Sequence, residues 1–328
     1  MLRVHFTAED LLDVTFAAEP LPLLELAMAL VAWQRTDEPA VFGPWRRRVC
    51  RALPGRARGP LRDLLRPDGQ NPQFIEPYAA TLEEGLAAVR EAGALLTGEQ
   101  LATAAARAPG GRASWLRALW DQDREAWDQL GGALGSAYEA VIAPYWPHIR
   151  QSFRADVAWR TRLLAAHGIK ACLAGIHPAA RWSGTVLEVD GPPGYEVRLG
   201  GRGLLLMPSP FWTGRPLLAE GPDGPGGRPL LMYPALTPLP LVQTAPSGGP
   251  AGAALDALLG RTRAAVLRLL VQQRTTSELA RDLDVSLPSV SEHTRTLRAA
   301  GLITTERDGK AVLHSVTGLG AELLRNGG

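Results

Sequence analysis

Cysteine is scarce in this chain. The 328 residues include two cysteines, Cys50 and Cys172, and the histidines show no ligand spacing such as His-x-x-x-His. A site for a soft metal needs clustered Cys or His ligands, and a small secreted scaffold needs several paired cysteines. The sequence therefore predicts neither a metal site nor a disulfide framework, and it is typical of a protein in a reducing cytoplasm.

A long apolar run is also missing. The most apolar stretch, 21–33, contains Glu25 and is shorter than the roughly 20 residues with which a helix crosses a bilayer. Residues 1–14 carry acidic side chains and lack the apolar core of a secretion signal. We therefore expect no membrane span and a cytoplasmic location.

Excess charge is small, because the formal net charge is +2. The whole surplus lies within residues 251–328, which hold ten basic and eight acidic side chains. A nucleic-acid-binding function in this segment would depend on the placement of a few arginines rather than on bulk charge.

Helical periodicity dominates the chain up to about residue 176. Two alternating runs, Leu2–Phe6 and Val14–Phe16, predict strands on either side of a capping box formed by Thr7 and Asp10. The stretch Pro54–Tyr78 is rich in Pro and Gly and predicts mostly loop. The predicted helices are 21–33, two that open at capping boxes on Thr81 and Thr97, Ala113–Leu130, and Leu134–Ala174 with breaks at Pro144 and Pro147.

Short apolar or alternating runs replace the helical pattern after residue 177. They lie between Gly and Pro clusters and predict a small antiparallel sheet. The glycine-rich run Gly200–Gly203 could cradle a phosphate, but no helix follows it, so a hairpin turn is the favoured interpretation. The predicted strands are Thr185–Val189, Tyr195–Leu199, Gly203–Met207 and Pro229–Tyr233.

A run of Pro, Gly and Ser at 244–252 has the composition of a linker, and we place the domain boundary there. The predicted fold class is α+β. Residues 1–243 form a mostly helical N-terminal domain with a small antiparallel sheet. Residues 253–328 form a smaller C-terminal domain.

The C-terminal domain carries start and stop signals for two helices joined by a tight turn. Thr275, or the threonine after it, can cap the first helix, and Asp284-Val285 makes the turn. Ser286 then caps a second helix over 287–300, with Pro288 in the first turn, where a missing N–H costs nothing. The predicted inner stripe of this helix is Val290, Thr294, Leu297 and Gly301. The residues on the opposite face are Pro288, Ser291, Glu292 and Arg295.

A β-hairpin is predicted over 303–316. Asp308-Gly309 separates two runs that contain apolar residues, which is a strong signal for a type I′ turn. Arg307 and Lys310 flank the turn and could rest on phosphates. Any one of these features alone would favour a surface helical hairpin with a decorated turn. The complete series of helix, turn, helix and hairpin predicts a winged helix-turn-helix that reads duplex DNA.

These residues resemble the ArsR-type (ArsR/SmtB-like) family of transcriptional regulators. The resemblance rests on Ser286–His293 (Ser-x-x-x-Val-Ser-x-His), Leu297–Leu302 (Leu-Arg-x-Ala-Gly-Leu) and Arg307-x-Gly309. Gly260–Leu270 resembles the helix that opens the same domain. Through phrases such as Phe42–Arg47, the longer chain resembles an actinobacterial subgroup with a large N-terminal domain of unassigned function.

The resemblance implies a homodimer that binds operator DNA and acts as a transcriptional repressor. In the family the first and last helices build the dimer, here 253–273 and 319–326. Metal-sensing members carry Cys-x-Cys in the helix before the recognition helix, or His/Asp ligands in the terminal helix. The corresponding helix here, Thr276–Asp284, has no thiol. We therefore expect a non-metal effector that the N-terminal domain senses.

The recognition helix and the wing supply the candidate DNA contacts. Ser286 and Ser291 would bind phosphates and fix the register. Arg295 would reach guanine or a phosphate, and Glu292 would accept from a cytosine amino group or orient Arg295. His293 is interpreted as buried and hydrogen-bonded rather than as a DNA contact. The candidate DNA-binding residues are Ser286, Pro288, Ser289, Ser291, Glu292, Arg295, Arg307 and Lys310.

No candidate active site emerges from residues 1–243. All nine tryptophans lie before the linker, where they could line an aromatic pocket or anchor a helical core. Ser209, between two prolines, is interpreted as a turn residue rather than a nucleophile. The leading hypothesis is a DNA-binding regulator with no enzymatic activity, metal or cofactor. The alternative is an enzyme domain of unknown reaction with an appended, autoregulatory DNA-binding module.

Overall fold

The computed structural model describes residues 1–69, 71–92, 98, 101–102, 113–190, 196–224, 226–236, 250–271, 273–308 and 311–327. The chain divides into two compact units. The first comprises Met1–Asp37 and Trp45–Pro238, and the second comprises Glu38–Pro44 and Leu239–Gly328. None of the described helices combines the length and apolar character that a bilayer requires.

The first unit is mainly helical up to residue 174. Its central helix, α2, is buried on nearly all sides, because almost every residue from Pro22 to Ala32 is apolar. Helices α4 and α5 pack with α2 around α7. The helices are α1 (Ala8–Leu12), α2 (Pro22–Gln34), α3 (Pro39–Ala52, of which the first unit holds the part from Trp45), α4 (Gly55–Leu64), α5 (Leu82–Glu91), α6 (Ala113–Trp120), α7 (Arg124–Val141) and α8 (Trp146–Ala174), with 3-10 turns at Gln73–Ile75 and Ala143–Tyr145.

Several helix signals of this unit are confirmed. Thr7 caps α1 and Thr81 caps α5, each through a reciprocal capping box. The break predicted at Pro144 is present, since a 3-10 turn separates α7 from α8. The capping box predicted at Thr97 lies outside the described residues.

Two helical features differ from the prediction. The prediction of mostly loop over Pro54–Tyr78 is wrong, because α4 occupies the first part of that stretch. Burial of an apolar stripe outweighs the cost of Pro60 within this short helix. Gly168, with φ 79° and ψ 174°, interrupts α8 before its C-terminal end. The buried residues of α4 are Ala57, Leu61 and Leu64.

The strands of the first unit form two four-stranded sheets, with orders β3-β4-β1-β5 and β2-β6-β8-β7. The two N-terminal strands are confirmed, and each joins a different sheet. Strand β6 is buried along its whole length, and helix α8 packs against it. The strands are β1 (Leu2–His5), β2 (Val14–Phe16), β3 (Ala180–Ser183), β4 (Val186–Val189), β5 (Glu196–Arg198), β6 (Leu204–Ser209), β7 (Leu217–Ala219) and β8 (Leu230–Pro234).

The α+β fold class is confirmed, but the prediction of one small antiparallel sheet is wrong. Strands β2, β6 and β8 are parallel, with Leu205 opposite Leu230, and β1 pairs parallel to β5. The prediction of a hairpin turn at Gly200–Gly203 is also wrong, because β5 and β6 belong to different sheets. Ser209, predicted in a turn, is the buried last residue of β6.

Tryptophan side chains anchor the core of the first unit. The buried Trp45 ring lies 5.1 Å from Phe211, and the buried Trp127 ring lies 5.5 Å from Phe74, measured between ring centroids. Such tilted or edge-on pairs stabilise a packed interior. These contacts favour core anchoring over an aromatic-lined pocket at these positions.

The C-terminal part of the second unit, from residue 250, contains a short three-stranded sheet of order β10-β11-β9 and five helices among the described residues. Gly260, with φ 81°, divides the predicted first helix of this domain into two. The first of these helices begins at Pro250, inside the predicted linker, and 244–249 lie outside the described residues. The elements are α9 (Pro250–Leu259), α10 (Arg261–Leu269), β9 (Arg274–Thr275), α11 (Thr276–Leu283), α12 (Leu287–Ala299), β10 (Ile303–Asp308), β11 (Ala311–Val316) and α13 (Gly318–Gly327).

The two predicted strands of the hairpin in the second unit are confirmed. Strands β10 and β11 pair antiparallel from Ile303–Val316 to Asp308–Ala311. Asp308 is paired in β10, and residues 309 and 310 lie outside the described residues, so the predicted turn at Asp308-Gly309 falls partly outside them. One apolar core holds the domain together; its buried residues are Val266, Leu267, Leu270, Leu279, Val290, Leu297, Leu302 and Ile303.

Candidate nucleic-acid interface

The first helix of the helix-turn-helix, α11, begins at a capping box. Thr275 N–H donates to Glu278 Oε2 at 2.8 Å, and Glu278 N–H donates to Thr275 Oγ1 at 3.2 Å. The hydrogen bonds from Thr275 lower the pKa of the Glu278 carboxyl. Asp284, with φ 53° and ψ 45°, ends the helix in the left-handed region, which confirms the predicted turn.

The recognition helix, α12, has the predicted cap and the predicted buried stripe. Ser286 Oγ accepts from Ser289 N–H, and Pro288 lies in the first turn. Val290 and Leu297 are buried, together with Thr294, whose hydroxyl donates to the Val290 carbonyl at 2.9 Å. The prediction that Gly301 continues this stripe is wrong, because Gly301 lies beyond the end of the helix and is exposed.

The opposite face of α12 is open to solvent. The four residues predicted on this face, Pro288, Ser291, Glu292 and Arg295, are all exposed. The structure adds two residues that sequence reasoning missed, Leu287, with 51% exposure, and the exposed Arg298. Leu287, Ser291, Arg295 and Arg298 follow helical spacing, so they form one continuous strip. We call these four residues the outer strip.

Ser289 lies away from the outer strip. Its side chain is half-buried, and its hydroxyl lies 3.3 Å from Nε2 of His293, which is also half-buried. The prediction of a hydrogen-bonded His293 is therefore confirmed, with less burial than expected. Ser289, a candidate DNA contact from the sequence, has its hydroxyl engaged within the helix.

A buried histidine connects the wing to α11. His314 Nε2 lies 3.0 Å from Thr276 Oγ1, and its Nδ1 lies 2.9 Å from Thr305 Oγ1. Burial lowers the pKa of His314, and Arg298 adds to this effect. A neutral ring offers one donor and one acceptor, which suits two hydroxyl partners. The contact aligns the wing with the helix-turn-helix, and no local sequence signal marks it.

The cations of the wing tip are described only in part. Arg307 lies in β10, opposite Val312, and its side chain is outside the described part of the structure. Lys310 lies outside the described residues altogether. On α12, neither Arg295 nor Arg298 forms an ion pair with another described residue. Their guanidinium groups are therefore available to phosphates or base edges.

The first unit holds two buried groups of hydrogen-bonded polar side chains. Ser209 Oγ donates to Glu25 Oε2 at 2.9 Å, and both residues are completely buried. Asp156 accepts from Arg160 Nε and from the Tyr233 hydroxyl, each at 2.8 Å, in a second buried group. The described residues contain no cluster of three or more His, Cys, Asp or Glu side chains that could bind a metal ion.

Comparison with known proteins finds matches to the helix-turn-helix region. A family model described as a helix-turn-helix domain matches residues 258–306. The HTH-type transcriptional repressor SmtB from Mycobacterium tuberculosis, in strains CDC 1551 / Oshkosh and ATCC 25618 / H37Rv, is 46% identical over 65 residues. This match covers 20% of the chain and 48% of each repressor, so the chain spans about half the length of these curated relatives. No solved structure matches the chain.

The C-terminal region therefore carries a helix-turn-helix domain, as the sequence predicts, and part of the chain is similar to SmtB repressors. The matched residues include the whole of α11 and α12 and the start of the wing. These matches leave the first unit without an assigned function.

Proposed function

We propose that the protein is a transcriptional regulator that binds duplex DNA by placing α12 in the major groove. The observation that carries the proposal is the geometry of this helix: a buried stripe fixes it on the domain core, and Pro288, Glu292 and Arg295 on the opposite face are exposed. The matches to the helix-turn-helix model and to the SmtB repressors support the same function. The wing would rest on neighbouring phosphates.

We expect some side chains of α12 to contact the DNA backbone and fix the position of the helix, and others to contact base edges. The Ser286 hydroxyl accepts the capping hydrogen bond and keeps its own O–H to donate to a phosphate. Ser291 and Arg298 lie on the outer strip beside Arg295, where they would contact phosphates or sugars. Arg295 would read guanine or hold a phosphate, and Glu292 would accept from cytosine or orient Arg295.

We propose a homodimer built by the outermost helices of the second unit. Helices α9 and α13 pack together, and each presents a large apolar side chain to solvent. Leu258 is 68% exposed and Leu319 is 57% exposed. A second copy of the same surface would remove both from water and place two recognition helices on a palindromic operator.

We further propose that the regulator is a repressor that responds to a non-metal effector through the N-terminal domain. The relatives are named repressors, and α11 carries no thiol. We propose no enzymatic activity for the first unit, since its buried Ser209 and Glu25 face no solvent. The alternative is an enzyme domain of unknown reaction with an appended DNA-binding module.

Arg295→Ala is the first test of the proposal. The full-length protein would be titrated at low salt against labelled duplexes that tile the region upstream of its own gene. We expect Arg295→Ala to weaken specific binding by about 1–3 kcal/mol if the guanidinium reads a base. If it holds a phosphate, binding to a scrambled duplex should weaken to the same extent. Anisotropy of the labelled duplex gives both constants.

Arg47→Ala is the matched control, because it removes the same charge from an exposed position in the first unit. Its affinity should equal that of the wild type. Failure of the wild-type protein to bind any of these duplexes, or equal losses in both variants, would contradict the proposed role of α12.

A further inference from the structure

Leu287 occupies an unusual position for a large apolar side chain. It is the first residue of α12 and is 51% exposed. The other large apolar side chains exposed in the described part of the second unit, Leu258 and Leu319, belong to the helices of the proposed dimer surface. Leu287 lies on neither of those helices, and it begins the outer strip.

The backbone around Leu287 is fixed before any DNA arrives. Ser286 caps the helix immediately before it, and Pro288 restricts the backbone immediately after it. Contact with a partner would therefore cost little conformational entropy, since little of the backbone remains to be ordered.

The neighbours on the outer strip define what Leu287 can meet. Ser291 and Arg295 follow at successive turns and would contact phosphates or the polar edges of bases. The thymine C5-methyl is the apolar group that a base pair presents in the major groove. A leucine at the N-terminal end of a recognition helix is complementary to this group and to no phosphate.

We infer that Leu287 packs against the C5-methyl group of a thymine and sets a thymine preference at one position of each half-site. The inference rests on the proposed DNA-binding function and adds to it a specific base and a specific side chain.

Deoxyuridine substitution tests this contact directly. The full-length protein would first select its site from a random-sequence duplex library. Each thymine of the selected duplex would then be replaced by deoxyuridine, which removes the methyl and keeps every hydrogen-bonding group. At one thymine per half-site we expect about fourfold weaker binding, which is the size expected for one lost apolar carbon.

Variants assign that effect to Leu287. Leu287→Ala should bind the thymine and deoxyuridine duplexes equally, and Leu287→Met should keep most of the difference. Thr296→Ala is the control, because Thr296 is exposed on α12 away from the outer strip. It should keep the full fourfold difference.

The possible failures are distinguishable. Without enrichment of any sequence, the proposed DNA-binding function fails, and the inference fails with it. With enrichment but no methyl-sensitive thymine, or with the same sensitivity in Leu287→Ala, the inference is overturned and the DNA-binding function stands.

Discussion

Glu25 shows how tertiary burial sets the chemistry of a single residue. Burial raises the pKa of its carboxyl to about 8, although the hydrogen bond from Ser209 opposes the rise. Its second oxygen, Oε1, has no hydrogen-bond partner among the described residues, which suits a protonated acid. The folded protein therefore holds a proton that the unfolded chain, with a pKa near 4.5, releases.

Because the folded protein binds this extra proton, its free energy of unfolding should depend on pH. Because the folded pKa is raised, the contribution of Glu25 is fully present below about pH 4.5 and is lost as the pH rises towards 8. Glu25→Gln keeps an acceptor for Ser209 and cannot ionise. The free energy of unfolding of Glu25→Gln minus that of the wild type should therefore increase by roughly 3 kcal/mol as the pH rises from about 5 to about 8.

Urea unfolding followed by tryptophan fluorescence measures this gain, since all nine tryptophans lie before residue 244. A pH-independent difference between the two proteins would show that Glu25 is ionised in the folded state. Glu76, whose pKa burial raises to about 7, is common to both proteins and cancels in the comparison.

At the level of elements, the end of α12 depends on one backbone conformation. Gly301 has φ +70°, and the next residue, Leu302, donates its N–H to the Leu297 carbonyl at 2.9 Å. Leu302 then enters the domain core. This arrangement satisfies the last carbonyl groups of the recognition helix and directs the chain into the wing.

Substitution at Gly301 should therefore destabilise the second unit through the backbone alone. No atom lies within 4 Å of a Cβ built at this position, so a side chain meets no steric clash. Gly301→Ala should cost about 1–2 kcal/mol, and Gly301→Asn should cost less, because Asn tolerates the left-handed region better. Denaturation followed by circular dichroism, at several urea concentrations, measures both. Equal stability of the Ala variant would show that the chain finds another route into the wing.

At the level of the whole molecule, the proposed function depends on the proposed homodimer. A net charge of +2 gives weak general attraction to DNA, and one recognition helix offers a small footprint. Two copies joined through α9 and α13 would double the footprint and match a two-fold symmetric operator. The proposed affinity therefore depends on the apolar surface around Leu258 and Leu319.

The double variant Leu258→Glu/Leu319→Glu should be monomeric, because dimerisation would bury two carboxylates without partners. Sedimentation equilibrium should give half the wild-type mass, with a loss of operator affinity of at least tenfold. Leu12→Glu is the control, since Leu12 is 88% exposed in the first unit. A double variant that stays dimeric would place the dimer surface elsewhere on the chain.

The sequence by itself determined the features whose physical cause is local. Capping boxes at Thr7, Thr81 and Thr275, the turn at Asp284 and the wing hairpin all depend on contacts within a few residues. Helical spacing likewise predicted the buried and exposed faces of α12. The helix-turn-helix could therefore be predicted nearly residue by residue.

Only the tertiary structure decided the features whose partners are remote. Strand β1 pairs with β4 and β5, and β2 pairs with β6, across most of the length of the first unit. No short-range pattern encodes such pairing, so the parallel sheet was predicted as antiparallel. The same reason applies to Glu25, which depends on Ser209 in β6, and to His314, which depends on Thr276 in α11. Leu287 belongs with these residues, because its exposure is set by what the domain core leaves uncovered.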